Sequence, residues 1–124
     1  MRASREEQWT LMHAAYRDGP YANEFVAEAL AAACLVFRDA TWAADLYPSC
    51  SHGQLGISTS HDYVASRQCR AVWLAGDESR HPIATFQDTV GSANGRTEHI
   101  VDLGEATLRS LAEWVRGRRD LDAG

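Results

Sequence analysis

The side chains best suited to chemistry lie between positions 50 and 69. Cys50 is followed by His52, and His61 and Cys69 come further along the chain, so two thiols and two imidazoles fall within twenty residues. Thiolates and imidazoles are zinc ligands, but small zinc sites usually combine C-x₂₋₄-C with H-x₃₋₅-H spacing. Only Cys50 and His52 are close in sequence. A zinc site built from these four residues is therefore kept as an alternative.

A thiol nucleophile is a second alternative. Cys50 would attack the substrate, with His52 or His61 as the general base. Asp45 or Asp62 would then orient the imidazole. Nucleophilic attack requires a thiolate, which a nearby imidazole favours. Because such a group depends on proximity in space, the opposite interpretation, an exposed loop thiol with incidental neighbours, stays open beside it.

Two aromatic residues, Trp42 and Tyr47, lie in residues 38–53, where neither helical nor strand periodicity is present. This stretch is predicted to be a loop, with one short strand or one turn of helix as its only regular structure. Aromatic side chains among polar ones concentrate the energy of protein interfaces. Trp42, Asp45 and Tyr47 are therefore the predicted partner-binding residues. The competing interpretation is that the loop folds back and Trp42 closes the edge of the core.

Several enzyme classes lack their motifs here. The glycines show neither G-x-x-x-x-G-K-[ST] nor G-x-G-x-x-G spacing, and the chain has no lysine for a phosphate loop or a Schiff base. H-E-x-x-H and G-x-S-x-G are also missing. The sequence therefore predicts no cofactor and favours a binding protein over an enzyme.

The net charge and the number of cysteines limit the class of partner and the cellular compartment that we expect. The net charge of −5 makes nucleic acid an unlikely partner, since such surfaces need surplus basic side chains. Three cysteines cannot form a complete disulfide framework, which favours a reducing compartment. Glu6 and Glu7 stand where a signal peptide would be apolar, and no apolar run approaches roughly eighteen residues. We expect a soluble, cytoplasmic protein without a membrane partner.

The elements that must position these residues centre on a predicted antiparallel meander, with strands at 68–75, 81–90 and 97–103. In the first strand, Cys69, Ala71 and Trp73 alternate on what is predicted to be the core face. Asn94-Gly95 is typical of a tight turn between the last two strands. Gln54 to Ser60 supplies a fourth strand.

Helices are predicted on either side of this sheet. Ser4 and Glu7 match a capping box, and Gly19-Pro20 ends the helix that begins there. A second, largely buried helix is predicted from Tyr21 or Asn23 to about Phe37. The C-terminal helix is indicated by apolar residues at helical spacing, namely Leu108, Leu111, Ala112 and Val115, and residues 118–124 are predicted to fray. The prediction is one α+β domain over residues 1–124, with two N-terminal helices, about four strands and a C-terminal helix.

In size and predicted layout the chain resembles small acidic α+β proteins among bacterial immunity proteins, phage-encoded inhibitors and accessory proteins. This resemblance carries over no residues. It implies a small protein-binding module of inhibitor, immunity or accessory type that acts by stoichiometric binding. An exposed edge at Gln54 to Ser60 or Thr97 to Leu103 would also allow a homodimer.

Overall fold

The computed structural model describes residues 4–60, 70–87, 96–100 and 102–117. The elements are α1 (Arg5–Arg17), α2 (Ala27–Asp39), a 3₁₀ turn (Thr41–Ala43), β1 (Tyr47–Ser51), β2 (Gln54–Ser58), β3 (Ala71–Gly76), β4 (Pro82–Gln87), β5 (Arg96–His99) and α3 (Glu105–Val115). The strands form one antiparallel sheet in the order β1-β2-β3-β4-β5. The predicted α+β class is confirmed, with five strands instead of about four. None of the described helices has the length and apolar character needed to cross a bilayer.

The start of α1 follows from its local sequence. The Ser4 hydroxyl accepts the Glu7 N–H at 3.1 Å, as the capping box predicts. Trp9 is fully buried, stacks on Phe37 with ring centroids 5.0 Å apart, and donates its indole N–H to the Leu46 carbonyl at 3.0 Å. The first helix is thus fixed to the second and to the approach of β1.

The second helix begins later than predicted, at Ala27 instead of Tyr21 or Asn23. Its preceding residue, Val26, has φ 55° in the left-handed region. A right-handed helix cannot run through such a residue, so positions 20–26 form turns instead.

Residues 38–53 contain more regular structure than predicted. They include both the 3₁₀ turn and β1, which pairs with β2 from Tyr47↔Ser58 to Ser51↔Gln54. The two strands are joined by His52 and Gly53, whose φ angles are 53° and 80°. Two positive φ values are those of a two-residue type I′ hairpin turn. His-Gly is not among the dipeptides that commonly signal this turn, so the hairpin was missed.

The face of β3 that carries Ala71 and Trp73 is buried, as predicted, but it is not the face that packs into the main hydrophobic core. Val72 and Leu74 belong to the hydrophobic core, so Trp73 between them points to the opposite face of the sheet. Trp73 is buried on that face, with a relative exposure of 9%. Its indole N–H donates to Gln87 Oε1 at 3.2 Å, and its ring lies directly over Gly56. Cys69, the Asn94-Gly95 turn and the tail 118–124 lie outside the described residues.

Helices cover the face that carries Val72 and Leu74. The predicted apolar stripe of the C-terminal helix is confirmed, because Leu108, Leu111, Ala112 and Val115 are all buried. Trp114 is also buried and packs edge-on against Phe86 of β4, with ring centroids 4.8 Å apart. One layer of helices therefore rests on one face of the sheet.

The two edges of the described sheet differ. One form of the dimer prediction required an exposed edge at Gln54 to Ser60. The strand Gln54–Ser58 is not an edge, because it pairs with β1 on one side and with β3 on the other. At the β1 edge, Ser51 and Gln54 close the hairpin as a hydrogen-bonded pair. Hydrogen-bonded and non-hydrogen-bonded pairs alternate along antiparallel strands, so Cys50 and Pro48 direct their backbone groups away from β2. Pro48 has no N–H, which weakens this edge as a template for further pairing.

At the opposite edge, the Ile100 N–H donates to the Pro82 carbonyl at 3.1 Å. Alternation along the antiparallel pair then directs the N–H and C=O groups of Thr97 and His99 away from β4. Among the described strands, β5 pairs with β4 alone. Its outer side thus presents a complete donor and acceptor pattern.

Candidate functional site

Cys50 lies on the helix-facing side of β1, opposite Leu55, and its thiol is within hydrogen-bonding reach of the Tyr16 and Tyr21 hydroxyls. The Tyr16 hydroxyl donates to the Gly53 carbonyl at 2.7 Å. Burial, reinforced by Cys50, raises the pKa of Tyr16 well above its usual range, and a hydrogen bond that the Tyr21 hydroxyl donates to the Cys50 sulfur raises the pKa of Tyr21. Both phenols therefore stay protonated at neutral pH and are not bases that could activate the thiol.

The other described members of the predicted nucleophilic group have different neighbours. His52 is exposed at the tip of the β1–β2 turn. The Asp45 carboxylate forms an ion pair with the Arg116 guanidinium, and Arg116 Nε lies 3.1 Å from both of its oxygens. His61, Asp62 and Cys69 lie outside the described residues. The thiol enzyme stays a prediction.

For the zinc alternative, the described ranges contain no group of three metal-ligating side chains arranged to hold an ion. Cys34 is the other described thiol. It is fully buried in α2, and burial raises the pKa of its thiol to about 12. A thiol in such surroundings behaves as a small apolar side chain.

The predicted partner-binding residues have structural roles of their own. Trp42 is partly buried and packs edge-on against Phe37, with ring centroids 5.9 Å apart and an interplanar angle of 76°. Its carbonyl accepts a hydrogen bond from Arg116. Tyr47 is half-buried on the sheet face that points away from Leu55 and Ile57. Trp42 and Tyr47 thus belong to different layers of the fold.

A second arginine, Arg5 at the start of α1, also holds the segment that joins α2 to β1. The Arg5 guanidinium donates to the Ala44 carbonyl at 2.9 Å and to the Phe37 carbonyl at 3.3 and 3.4 Å. The bonds to Phe37, and a further bond to the Arg38 carbonyl at 3.3 Å, satisfy carbonyls in the last turn of α2, where helices leave carbonyl groups without a partner. The interface predicted for Trp42, Asp45 and Tyr47 is untested and stays a prediction, but the segment is already tied to the core.

A groove lies on the other side of the molecule, between β5 and α3, and has a cavity volume of about 420 Å³. We call it the β5–α3 groove. The described residues that line it are Phe86, Glu98, Ile100, Ala106, Thr107, Ser110, Leu111 and Trp114.

The groove exists because α3 does not extend over β5. Glu98 pairs with Ala84, a core residue, so its side chain lies on the helix-facing side of the sheet. It is nevertheless exposed. The buried face of α3 instead rests on Phe86, through Trp114. The last strand of the sheet is consequently uncovered on the side where the helices lie.

The walls of the groove differ in chemistry. Phe86, Leu111 and Trp114 form an apolar floor, and Thr107 and Ser110 add hydroxyl groups one helical turn apart on α3.

Glu98 is the one charged side chain among the described residues that line the groove. The Arg70 guanidinium lies 3.9 Å from the centroid of the Trp114 ring but is not among the lining residues. The groove thus combines an apolar floor with a single carboxylate, the composition of a site that fixes an apolar ligand by a few polar contacts.

One end of β5 is fixed by Asp77. Its carboxylate accepts the His81 backbone N–H at 2.8 Å and lies 2.9 Å from His99 Nε2. The first of these bonds, followed by the contact with His99, lowers the pKa of Asp77. The carboxylate therefore stays ionised at neutral pH and ties the β3–β4 connection to β5.

A second cavity, of about 530 Å³, lies between α1 and α2 and is lined in part by His13, Tyr16 and Glu28. The His13 imidazole is already 2.9 Å from the Ala31 carbonyl. Apart from Asp18 and Ala22, the residues that line this cavity lie in α1 and α2, whose main-chain groups bond largely within the helices. The cavity therefore has no edge strand beside it of the kind that β5 provides for its groove.

Sequence reasoning assigned no function to Glu98, Thr107 or Ser110. The available signals were an acidic residue two positions before the apolar Ile100, and two hydroxyls beside the stripe of α3. Neither is specific by itself. Comparisons with known protein families, with curated proteins and with solved structures find no match to this chain.

Proposed function

We propose that this protein acts by stoichiometric binding to a protein partner, which adds an extended segment to β5 and places alternate side chains in the β5–α3 groove. One observation carries the proposal: an edge strand with outward-directed backbone groups at Thr97 and His99 runs beside an apolar groove on its helix-facing side. In strand addition, main-chain hydrogen bonds provide affinity and pockets for alternate side chains provide specificity.

Charge favours a basic partner. The chain carries a net charge of −5, and the charged residue among the described residues that line the groove is acidic, Glu98. Complementary charge increases the rate of encounter and excludes acidic competitors. A single added strand buries little surface, so we expect a transient complex. Inhibitor, immunity and accessory proteins all work through stoichiometric contacts, and the proposal keeps the protein in that broad class.

The direct test uses peptides selected from a displayed random library against the full chain. Thr97→Pro removes one outward N–H without removing a bond to β4, and proline is tolerated on an edge strand. We expect it to weaken the selected peptides at least tenfold. Thr97→Val is the matched control, because it keeps the N–H and removes only the hydroxyl that lies 3.0 Å from Thr85 Oγ1.

Peptides that bind Thr97→Pro as tightly as the wild type would contradict strand addition at β5. If those peptides instead lost affinity on Trp42→Ala or Tyr47→Ala, the contact would lie at residues 41–52, as the sequence predicts. Metal analysis and thiol-reactivity profiling test the zinc and cysteine alternatives on the same preparation.

A further inference from the structure

We infer that Asp77 is a positioning residue for strand addition, because it holds His99 and thereby keeps the C-terminal end of β5 in the extended conformation that a partner segment needs. This inference rests on the proposed function and names the residue that prepares β5 to bind. It follows from the way in which one carboxylate is shared between the β3–β4 turn and β5.

The backbone ladder is weak at the C-terminal end of β5. The side chains at 97–99 are all exposed, so burial contributes little to holding this part of the strand. In an antiparallel ladder, a hydrogen-bonded pair normally exchanges two bonds. Here Ile100 donates to the Pro82 carbonyl at 3.1 Å, but Pro82 has no N–H to return the second bond. The last pair of this ladder therefore has one backbone bond instead of two.

Asp77 supplies a further connection at this end. Its Oδ1 accepts the His81 N–H at 2.8 Å, and its own N–H donates to the His81 carbonyl at 3.0 Å, so the turn between β3 and β4 fixes its position. The other oxygen, Oδ2, lies 2.9 Å from Nε2 of His99. Because the ionised carboxylate has no proton to donate, the imidazole N–H donates this bond. One fixed carboxylate thus ties His99 to the neighbouring turn.

His81 supports the same arrangement from the side. Its ring packs edge-on against the ring of His99, with centroids 6.4 Å apart and an interplanar angle of 83°. Its Nδ1 lies 3.8 Å from Oδ2 of Asp77, which is beyond hydrogen-bonding distance. The side-chain bond to Asp77 is therefore made by His99, and this bond connects the turn with β5.

The connection affects binding because of where His99 lies. It is one of the two residues whose backbone groups point away from β4, toward a partner segment. A segment that meets an already ordered strand avoids the entropic cost of ordering it. The apparent affinity falls in proportion to the fraction of molecules that are in the binding-competent conformation. Loss of the contact between Asp77 and His99 should therefore weaken strand addition while the backbone donors and acceptors of β5 remain.

The test measures the affinity of the peptides selected on the full wild-type chain. Asp77→Ala and His99→Ala should each weaken these peptides about two- to fivefold, the range for an exposed ionic contact. The double variant should bind no more weakly than the single variants, because residues that act through one contact are not additive. His99→Gln should restore binding, since its side-chain amide can donate to the carboxylate. Asp39→Ala is the matched control, because this carboxylate bonds to Arg38 at the end of α2.

A second measurement needs no partner. Hydrogen exchange of the Ile100 amide reports on its bond to Pro82. This amide should exchange faster in Asp77→Ala and His99→Ala than in the wild type, while the amides of β3, in the middle of the sheet, stay protected. Asp77→Ala also removes the bond to the His81 N–H, so melting curves check that it folds. If it does not fold, His99→Ala and His99→Gln decide the matter, because both leave that bond in place.

The outcomes separate this inference from the proposed function. Peptides that lose affinity on Thr97→Pro but bind both alanine variants as tightly as the wild type would overturn the inference and leave strand addition intact. Additive losses, a His99→Gln variant that binds no better than His99→Ala, or unchanged exchange at Ile100 would do the same, since the effect would not pass through the contact between Asp77 and His99. Enriched peptides indifferent to Thr97→Pro, or no enrichment at all, would overturn both.

Discussion

Replacing Trp42 by alanine separates a structural role for this side chain from the interface role that the sequence predicts. The Trp42 ring is partly buried against the hydrophobic core and packs edge-on on Phe37 at 5.9 Å. Truncating a fully buried Trp typically costs about 3–5 kcal/mol, and an aromatic pair adds roughly 0.5–1.5 kcal/mol to area burial. Since part of the ring is exposed, we expect a loss of about 2–3 kcal/mol in the free energy of unfolding.

The expected change is easily measured. The hydrogen bond from Arg116 to the Trp42 carbonyl is a main-chain contact and survives the substitution. With an unfolding entropy of about 2.1 cal/mol/K per residue, 1 kcal/mol corresponds to roughly 4 °C for a chain of this length. Trp42→Ala should therefore lower the melting midpoint in circular dichroism by about 10 °C.

The control is Leu11→Ala, because Leu11 is 64% exposed on α1. A surface change of this kind should stay within about 0.5 kcal/mol. A midpoint for Trp42→Ala within about 2 °C of the wild type would refute the packing argument, since even the lower expected loss corresponds to a larger shift. If the affinity for the partner also fell, the binding surface would be assigned to Trp42, Asp45 and Tyr47, as the sequence predicts.

Three further predictions concern packing and pH. A Cβ at Gly56 would lie 2.5 Å from the Trp73 ring, so Gly56→Val should cost about 1–3 kcal/mol in urea unfolding, and an unchanged midpoint would be inconsistent with that contact. Tyr16→Phe leaves the Gly53 carbonyl without its hydroxyl donor and should cost about 1–3 kcal/mol. The pKa of Tyr16 is raised on folding, so wild-type stability holds below the unfolded value of 10.0 and falls above it, whereas the Phe variant should lose less between about pH 9 and 11. The pKa of Asp77 is lowered on folding, so its contribution is present above the unfolded value of 3.8 and is lost as pH falls; Asp77→Asn should reduce the loss of stability in acid, and an identical acid profile would contradict this.

Local signals predicted the parts of the fold that local interactions determine. The capping box at Ser4 and Glu7 and the stripe around Leu108 need only neighbours along the chain. The class of the fold followed from them and from the strand pattern. The start of α2 could not be predicted in this way. Val26 has a left-handed φ, and a β-branched residue gives no sequence signal for that conformation.

The sequence was less informative where one strand determines the environment of another. Alternation predicted the burial of Ala71 and Trp73 but not that Trp73 lies on the face opposite Val72 and Leu74, where Gly56 on the neighbouring strand leaves room for its ring. The β5–α3 groove was equally invisible, since it depends on how far α3 extends over the sheet. Neither relation is encoded in the spacing of residues along one segment.

The contrast between the two sheet edges determines what kind of assembly strand pairing can build. Pro48 interrupts the donor pattern at β1, while Thr97 and His99 leave the pattern complete at β5 in the described part of the chain. An assembly that grows must expose a new receptive edge after every addition. Two copies joined through β5 would present only their β1 edges to the outside, each interrupted by proline. The pair would close on a two-fold axis, so the protein should not polymerise into filaments through this sheet.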